Sequence, residues 1–486
     1  MGLLAILSIP VILASSSTLV RRKRQMDFLH CAGYALVLFA AGWLLYSRLT
    51  SEGNMFFLRR FLFVDPLNAF FIFTVSVVSF CAALYSAGYL AKDMERKAVD
   101  ERGVRMYYLL FDLFVFTMFM VLAVNNLGFM WIAIEMTTLV SAFLVGFYRT
   151  KESVEAAWKY IIICSVGIIL ALVGTVLYYY AASRAGCVRS LNWTDMHSCA
   201  YALEPNIVRI AFIFIIVGYG TKAGIAPMHT WLPDAHSQAV SPVSGLLSGV
   251  LLKTALYAII RYAIILNAGP GGHAFSAKLF VMFGLVCMLI ACGFIFVQRD
   301  LKRLLAYSSI EHIGVVCVGL GIGGPLGFGG ALLHVFNHAV TKSLMFFSGG
   351  RIVSHYGKHA MSQIKGVLQA MPFVGGIFIL GAFALSGFPP FSVFVSELVI
   401  LAGAFAKGSY WTAGLVLFFL ALIFAGMMFH FSRMLFGRKP AELPADKEPR
   451  SIRWALGILL AVALATSIAV PLLAGQGAFA RLIWMY

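Results

Sequence analysis

Charge is the first thing this chain lacks: only 12% of its 486 residues are Asp, Glu, Lys or Arg, against about 25% in soluble domains. Too little polar surface remains to cover a water-facing globule, and 61% of the residues are hydrophobic. Cysteine is equally uninformative as a ligand. The eight cysteines show no CxxC, CxxH or regular spacing, which excludes the common sequence patterns of iron–sulfur and structural zinc sites. There is no P-loop, no CxxCH haem motif and no nucleophile elbow. Gly319, Gly321 and Gly324 fit G-x-G-x-x-G, but they end an apolar stretch with no strand before it, so they imply no nucleotide site. No redox or catalytic centre is expected on this chain.

What is present is a series of apolar runs, each close to the roughly 20 residues that span a bilayer core. Backbone groups in hydrocarbon must pair within the segment, and the alternating ten-residue pattern of a barrel is absent. The expected fold class is all-α and polytopic, with about fourteen transmembrane helices near 2–20, 28–46, 63–90, 106–124, 127–148, 156–181, 207–226, 241–262, 277–298, 304–322, 327–348, 370–400, 411–436 and 452–474. The first run is followed, not preceded, by Arg21, Arg22, Lys23 and Arg24, the reverse of a signal peptide, so it reads as a retained helix.

The net charge of +17 is spread through short loops, which points to membrane topology and away from nucleic acid. Alternate loops hold about 22 Lys and Arg on one side and about 10 on the other, including the termini. The basic side is expected to be cytoplasmic, with both termini on the periplasmic side of an inner membrane. Cys187 and Cys199 then share an external loop, where a disulfide is feasible.

Two spans contain breakers at membrane depth: Gly218, Gly220, Gly224 and Pro227 in the seventh, and Gly387, Pro389 and Pro390 in the twelfth. Interrupted helices five apart are the pattern of inverted repeats around an ion path. The chain is therefore divided into three N-terminal helices (1–105), a first half of helices four to eight (106–262), an inverted second half of helices nine to thirteen (277–436), and a loop with the last helix (437–486).

Several spans carry charges at their centres. Glu135, Lys222 and Lys253 cannot easily snorkel, and a central charge costs about 2.5–3.5 kcal/mol, so each must face the bundle interior. One such residue is equally well read as half of a buried ion pair; several on successive helices favour a proton relay over structural glue. In the eleventh span, His334, His338 and Lys342 recur every four residues. Each step rises about 6 Å and drifts about 40°, so the three line one face. All three can take up and release protons. Histidines at i and i+4 also suit zinc, but the local sequence offers no third ligand, and no metal is assigned. Glu397 follows the Pro389–Pro390 break by about two turns. Lys159, His229, Asp234 and His236 form a candidate proton entrance on the basic side, with a helix anchor or a plain polar loop as the competing readings. Asp112 and His430 are similarly ambiguous.

The segments NNLGFMWIAIEMTTLVSAFLVGFY, GTKAGIAPMHTWLPDAHSQAVSPVSGLLS, VQRDLKRLLAYSSIEHIGVVCVGLGIGGPLG and HVFNHAVTKSLMFF resemble the antiporter-like subunits of complex I and of cation/proton antiporters, and most of all the hydrogenase-4 component F type. The likeness runs from about residue 60 to 435. It implies fourteen helices with inverted repeats and proton translocation. Glu135 looks like the family's fifth-helix glutamate and Lys222 like the lysine whose proton affinity that glutamate modulates. His334, His338 and Lys342 resemble the central bridge, and Glu397 the terminal residue. Ser248 stands about where some relatives have histidine, so the link between half-channels is expected through Lys253. The resemblance also implies partner membrane subunits and a peripheral redox arm carrying iron–sulfur clusters, with a nickel–iron or quinone site. A subunit of a sodium/proton antiporter, or a non-conducting scaffold, is the alternative.

Overall fold

The computed structural model describes residues 2–51, 53–186, 190–441, 443 and 448–473. Among these residues, twelve helices are long and apolar enough to cross a membrane. The helix Gly324–Tyr356 and the split pair Pro372–Leu385 and Ser392–Ala406 bring the spans to fourteen. Cys187 lies outside the described residues, and with it the feasible pairing with Cys199.

The spans are arranged inside-out relative to a soluble protein. The most apolar of them, the sixth (Lys151–Arg184) and the ninth (Gly272–Val297), have only 39% of their apolar window buried. Their remaining surface faces outward, where lipid solvates apolar side chains. The eighth (Ser241–Ala268) and tenth (Leu301–Ile322) are enclosed along their whole apolar stretch, and the eleventh, Gly324–Tyr356, is buried over most of its length. These central spans carry Lys253, His334, His338 and Lys342, which fits the cost of placing a polar group against hydrocarbon.

Both expected breaks are real. The seventh span, Pro205–Ala223, stops at Gly224, which takes a left-handed conformation, and the chain turns before the short helix Trp231–Gln238. The twelfth is divided between Leu385 and Ser392, with Gly387 also left-handed. Close packing needs small residues at one crossing in particular: a Cβ on Gly218 would lie 2.4 Å from the Ala171 backbone nitrogen, so the sixth and seventh spans meet almost backbone to backbone.

Three local features depart from the sequence expectation. A small antiparallel hairpin, Met55–Phe57 with Leu62–Val64, precedes the third span, so the chain is not purely helical. That span starts at Pro66, where Asp65 and Asn68 form a reciprocal cap. The eighth span contains one π-helical turn, Leu247–Leu251, directly before Lys253. The segment MHTWLPDAHS, a candidate proton entrance with a plain polar loop as the competing reading, contains the short helix Trp231–Gln238 and tucks Trp231 and His236 fully into the bundle.

Candidate functional site: a row of buried amines and imidazoles

Lys222 occupies the last turn of the seventh span, just before the break, and is completely buried. Its ammonium donates to Thr138 Oγ1 at 2.8 Å and to the Tyr160 hydroxyl, and it stands 4.5 Å from the Tyr160 ring centroid. Trp231 closes the pocket: its indole donates to the Thr221 carbonyl at 2.8 Å, and its ring lies tilted against that of Tyr160 with centroids 4.5 Å apart. Glu135, on the fifth span Leu127–Val145, does not reach the lysine. Its Oε1 accepts from Ser165 at 2.8 Å, and its Oε2 is buried without a hydrogen bond. Thr138, one turn along from Glu135, and Tyr160 are thus the direct partners.

Lys253 Nζ donates to the Ser248 carbonyl at 2.5 Å. The π turn explains why that oxygen is open. Leu252 N–H reaches back to the Leu247 carbonyl, leaving Ser248 without its ordinary helical partner. The Ser248 hydroxyl meets that of Ser309 at 2.7 Å, and the adjacent Ser308 accepts from Lys342, which also donates to the Leu305 carbonyl at 2.7 Å. Two neighbouring serines on the tenth span, both donating to the Leu305 carbonyl that also accepts from Lys342, thus stand between Lys253 on the eighth span and Lys342 on the eleventh.

His334, His338 and Lys342 are all fully buried, so the sequence-derived stripe faces protein along its whole length. Its counterpart on the tenth span is Glu311 with His312, a pair that sequence reasoning missed. His312 Nδ1 and His334 Nε2 are 3.0 Å apart, and His334 Nδ1 meets Ser396 Oγ at 3.0 Å. The His338 ring lies 4.5 Å from that of His312. Glu397 sits one residue after Ser396, and donor atoms of His312, His334 and Glu397 all lie within 4.8 Å of one another. Gly387 makes room for this carboxylate: a Cβ there would be 2.3 Å from Glu397 Oε2. The ligands that local sequence spacing could not offer to His334 come from two other helices.

The four residues grouped as an entrance separate in space. Asp234 is near the surface, where it pairs with Arg303 at 3.2 Å and Lys159 at 3.5 Å; Lys159, half exposed, also binds Glu155 at 2.7 Å. His229 is largely buried and His236 entirely so, the latter 5.6 Å from Phe346. Asp112 belongs to a separate cluster, accepting from Tyr34 at 2.9 Å and bound to His30 at 2.8 Å. His430 contacts the Ile295 carbonyl at 3.1 Å, away from the central row.

Chemically, the row has a consistent character. Among the described residues, no carboxylate lies within ion-pair distance of Lys222, Lys253 or Lys342; each amine is held by hydroxyl or carbonyl oxygens, to which a neutral amine can still donate and which leave no counter-charge behind when the proton departs.

Residues 124–424 match the family described as NADH:quinone oxidoreductase/Mrp antiporter, TM, and residues 58–97 match the N-terminus of complex I chain 5. A hydrogenase-4 component F homolog from Methylacidiphilum infernorum (isolate V4) is 41% identical over 378 residues, covering 76% of this chain and 79% of its own. Two solved structures share the fold. A chain of the membrane-bound sulfane sulfur reductase, an archaeal respiratory membrane complex, superposes with a TM-score of 0.86 at 23% identity, over 99% of this chain and 97% of that one. A chain of the Mrp complex from Dietzia sp. DQ12-45-1b does so with a TM-score of 0.83 at 20% identity, over 98% and 95%.

Proposed function

The chain belongs to the NADH:quinone oxidoreductase/Mrp antiporter family of membrane proteins, and from that premise we propose that it is a proton-translocating subunit of a respiratory or hydrogenase-type oxidoreductase complex. The observation that carries the proposal is the set of three fully buried lysines held only by neutral oxygens. A lysine serving as structural glue is expected opposite a carboxylate, because an unpaired buried charge is strongly destabilising. Held by hydroxyls and carbonyls, each amine is free to change protonation state without leaving a partner charge stranded.

In this reading a proton enters at the first break and loads Lys222, with Tyr160 and Thr138 fixing the amine. It passes to Lys253, crosses the Ser309/Ser308 step to Lys342, and proceeds through His338, His312 and His334 to Glu397. Glu135 acts on Lys222 through the field and not by contact: a charge arriving or leaving near the fifth span changes the cost of holding the ammonium. One pKa unit corresponds to about 1.4 kcal/mol, so a modest field change suffices to direct transfer. His229 and His236 are the inner members of the entrance, and Lys159 and Asp234 its surface.

The same proposal includes the inverted halves 106–262 and 277–436, since the two breaks fall five spans apart, and the loop asymmetry that puts both termini on the periplasmic side of the inner membrane. Driving redox chemistry belongs to partner subunits, where iron–sulfur clusters with a nickel–iron or quinone site are expected. The 41% identical relative favours a hydrogenase-type assembly over a sodium/proton antiporter. Reconstituting the purified assembly in liposomes and measuring protons moved per electron, with and without sodium, tests this. Lys222→Ala is expected to abolish pumping while the complex still assembles; wild-type stoichiometry in the assembled variant would overturn the proposal.

A further inference from the structure

The cluster at the end of the row has the donor arrangement of a metal centre. His312 Nδ1 and His334 Nε2 face one another at 3.0 Å, and the opposite nitrogen of each ring has an outer neighbour. His334 Nδ1 is bound to Ser396 Oγ at 3.0 Å, and His312 Nε2 lies 3.3 Å from Glu311 Oε2, within ion-pair distance though not aligned for a hydrogen bond. Metal-ligating histidines typically have the second ring nitrogen supported in this way, which fixes the tautomer and aims the other nitrogen at the ion. Glu397 supplies a carboxylate oxygen, and one donor atom from each of His312, His334 and Glu397 lies within 4.8 Å of the other two.

Zinc binds histidine nitrogen at about 2.0–2.1 Å and carboxylate oxygen at about 2.0–2.2 Å, so ligand atoms around a tetrahedral ion stand about 3.4 Å apart. His312 Nδ1 and His334 Nε2, 3.0 Å apart, are already near that separation, and a set whose donor atoms lie within 4.8 Å needs to close by at most about 1.4 Å. A fourth donor is at hand and unused. His338 is completely buried, neither ring nitrogen has a hydrogen-bond partner, and its ring is 4.5 Å from that of His312. Glu311 adds a second carboxylate close by, so two acidic groups offset a divalent charge in a site otherwise walled off from water. Glu397, behind Gly387 at the twelfth-span break, keeps 6% of its surface open.

We propose that His312, His334 and Glu397, completed by His338 or a water molecule, form a binding site for a divalent transition-metal ion of the zinc class, and that an ion held there arrests proton movement through the second half. The binding claim stands on the donor geometry alone; the arrest rests on the relay reading above.

The test uses the assembled complex, equilibrated with radioactive zinc at micromolar concentration and then desalted. Wild-type complex is expected to retain one more zinc ion than His334→Asn, with Glu397→Gln as the second variant should the first fail to assemble. Ser396→Ala, which releases the outer nitrogen of His334, is expected to weaken zinc binding about 10–100-fold. Lys222→Ala should bind zinc like wild type although it does not pump, which separates the site from the relay. In wild type, zinc should stop pumping and a chelator should restore it. Equal zinc content in wild type, His334→Asn and Glu397→Gln would overturn the site; a zinc-loaded complex pumping at full stoichiometry would overturn the arrest.

Discussion

Arg261 and Lys222 are both cations fully enclosed in the bundle, yet they are held in opposite ways. Arg261 forms a bidentate pair with Asp65 at 2.6 and 2.7 Å and is surrounded by the rings of Trp193, Tyr257 and Phe63 at 4.5–5.0 Å. Arg351, also buried, meets Glu448 at 2.9 Å. Among the described residues, Lys222, Lys253 and Lys342 have no such counter-ion. The chemistry of the two side chains explains the division. Guanidinium does not release its proton in proteins, so a paired arginine is a permanent fastener; a desolvated lysine readily becomes neutral. Paired arginines therefore hold the spans together, and unpaired lysines are left where charge must come and go.

The largest effect should come from breaking a fastener. Arg261→Met leaves Asp65 buried without its partner and is expected to cost about 3–5 kcal/mol, seen as loss of folded protein in thermal unfolding in detergent. Adding Asp65→Asn should recover most of that loss, because asparagine removes the stranded charge and still caps the third span. A double variant no more stable than Arg261→Met would argue against the fastener role. Next, Lys342→Met should leave assembly intact but block pumping more severely than His334→Asn or His338→Asn alone, since water can bridge a lost imidazole but cannot store the charge. Proton uptake rates in liposomes rank the three, and the reverse order would reassign the roles within the row.

Much of this contrast is visible in the sequence. Glu135, Lys222, Lys253 and Lys342 stand out because charge at the centre of an apolar run has few explanations, and both helix breaks are written in Gly and Pro. The stripe at 334, 338 and 342 follows from helical periodicity alone. Glu311 and His312 carried the same signal, two titratable residues inside Leu301–Ile322, but were read as part of a matching motif instead of as mid-span charges. The partners of the lysines were not legible at all. Thr138, Tyr160, Ser308 and Ser309 are ordinary hydroxyl residues, common in membrane helices, and only tertiary packing shows which of them touch an amine. Burial of His236 was hidden for the opposite reason: a polar segment with Pro and Asp reads as a loop, yet Trp231 anchors it beneath the seventh span.

Smaller effects sharpen the comparison further. Glu135→Gln is expected to reduce pumping without abolishing it, because the carboxylate acts on Lys222 from beyond hydrogen-bond range; its effect should appear as a changed pH profile of pumping. An unchanged profile would remove Glu135 from the mechanism. The smallest effect belongs to Lys159→Ala. Its pairs with Glu155 and Asp234 are solvent-exposed and screened, so neither stability nor stoichiometry should move measurably, and a block of pumping there would make Lys159 part of the relay proper.

The central claim is that the buried lysines must lose and regain a proton, beyond merely being positive. Lys342→Arg addresses it most directly, because arginine keeps the charge and the reach but does not release its proton. Protons moved per electron, measured in liposomes on complex whose assembly has been verified, are expected to fall to the level of Lys342→Met. Wild-type stoichiometry in Lys342→Arg would contradict the account.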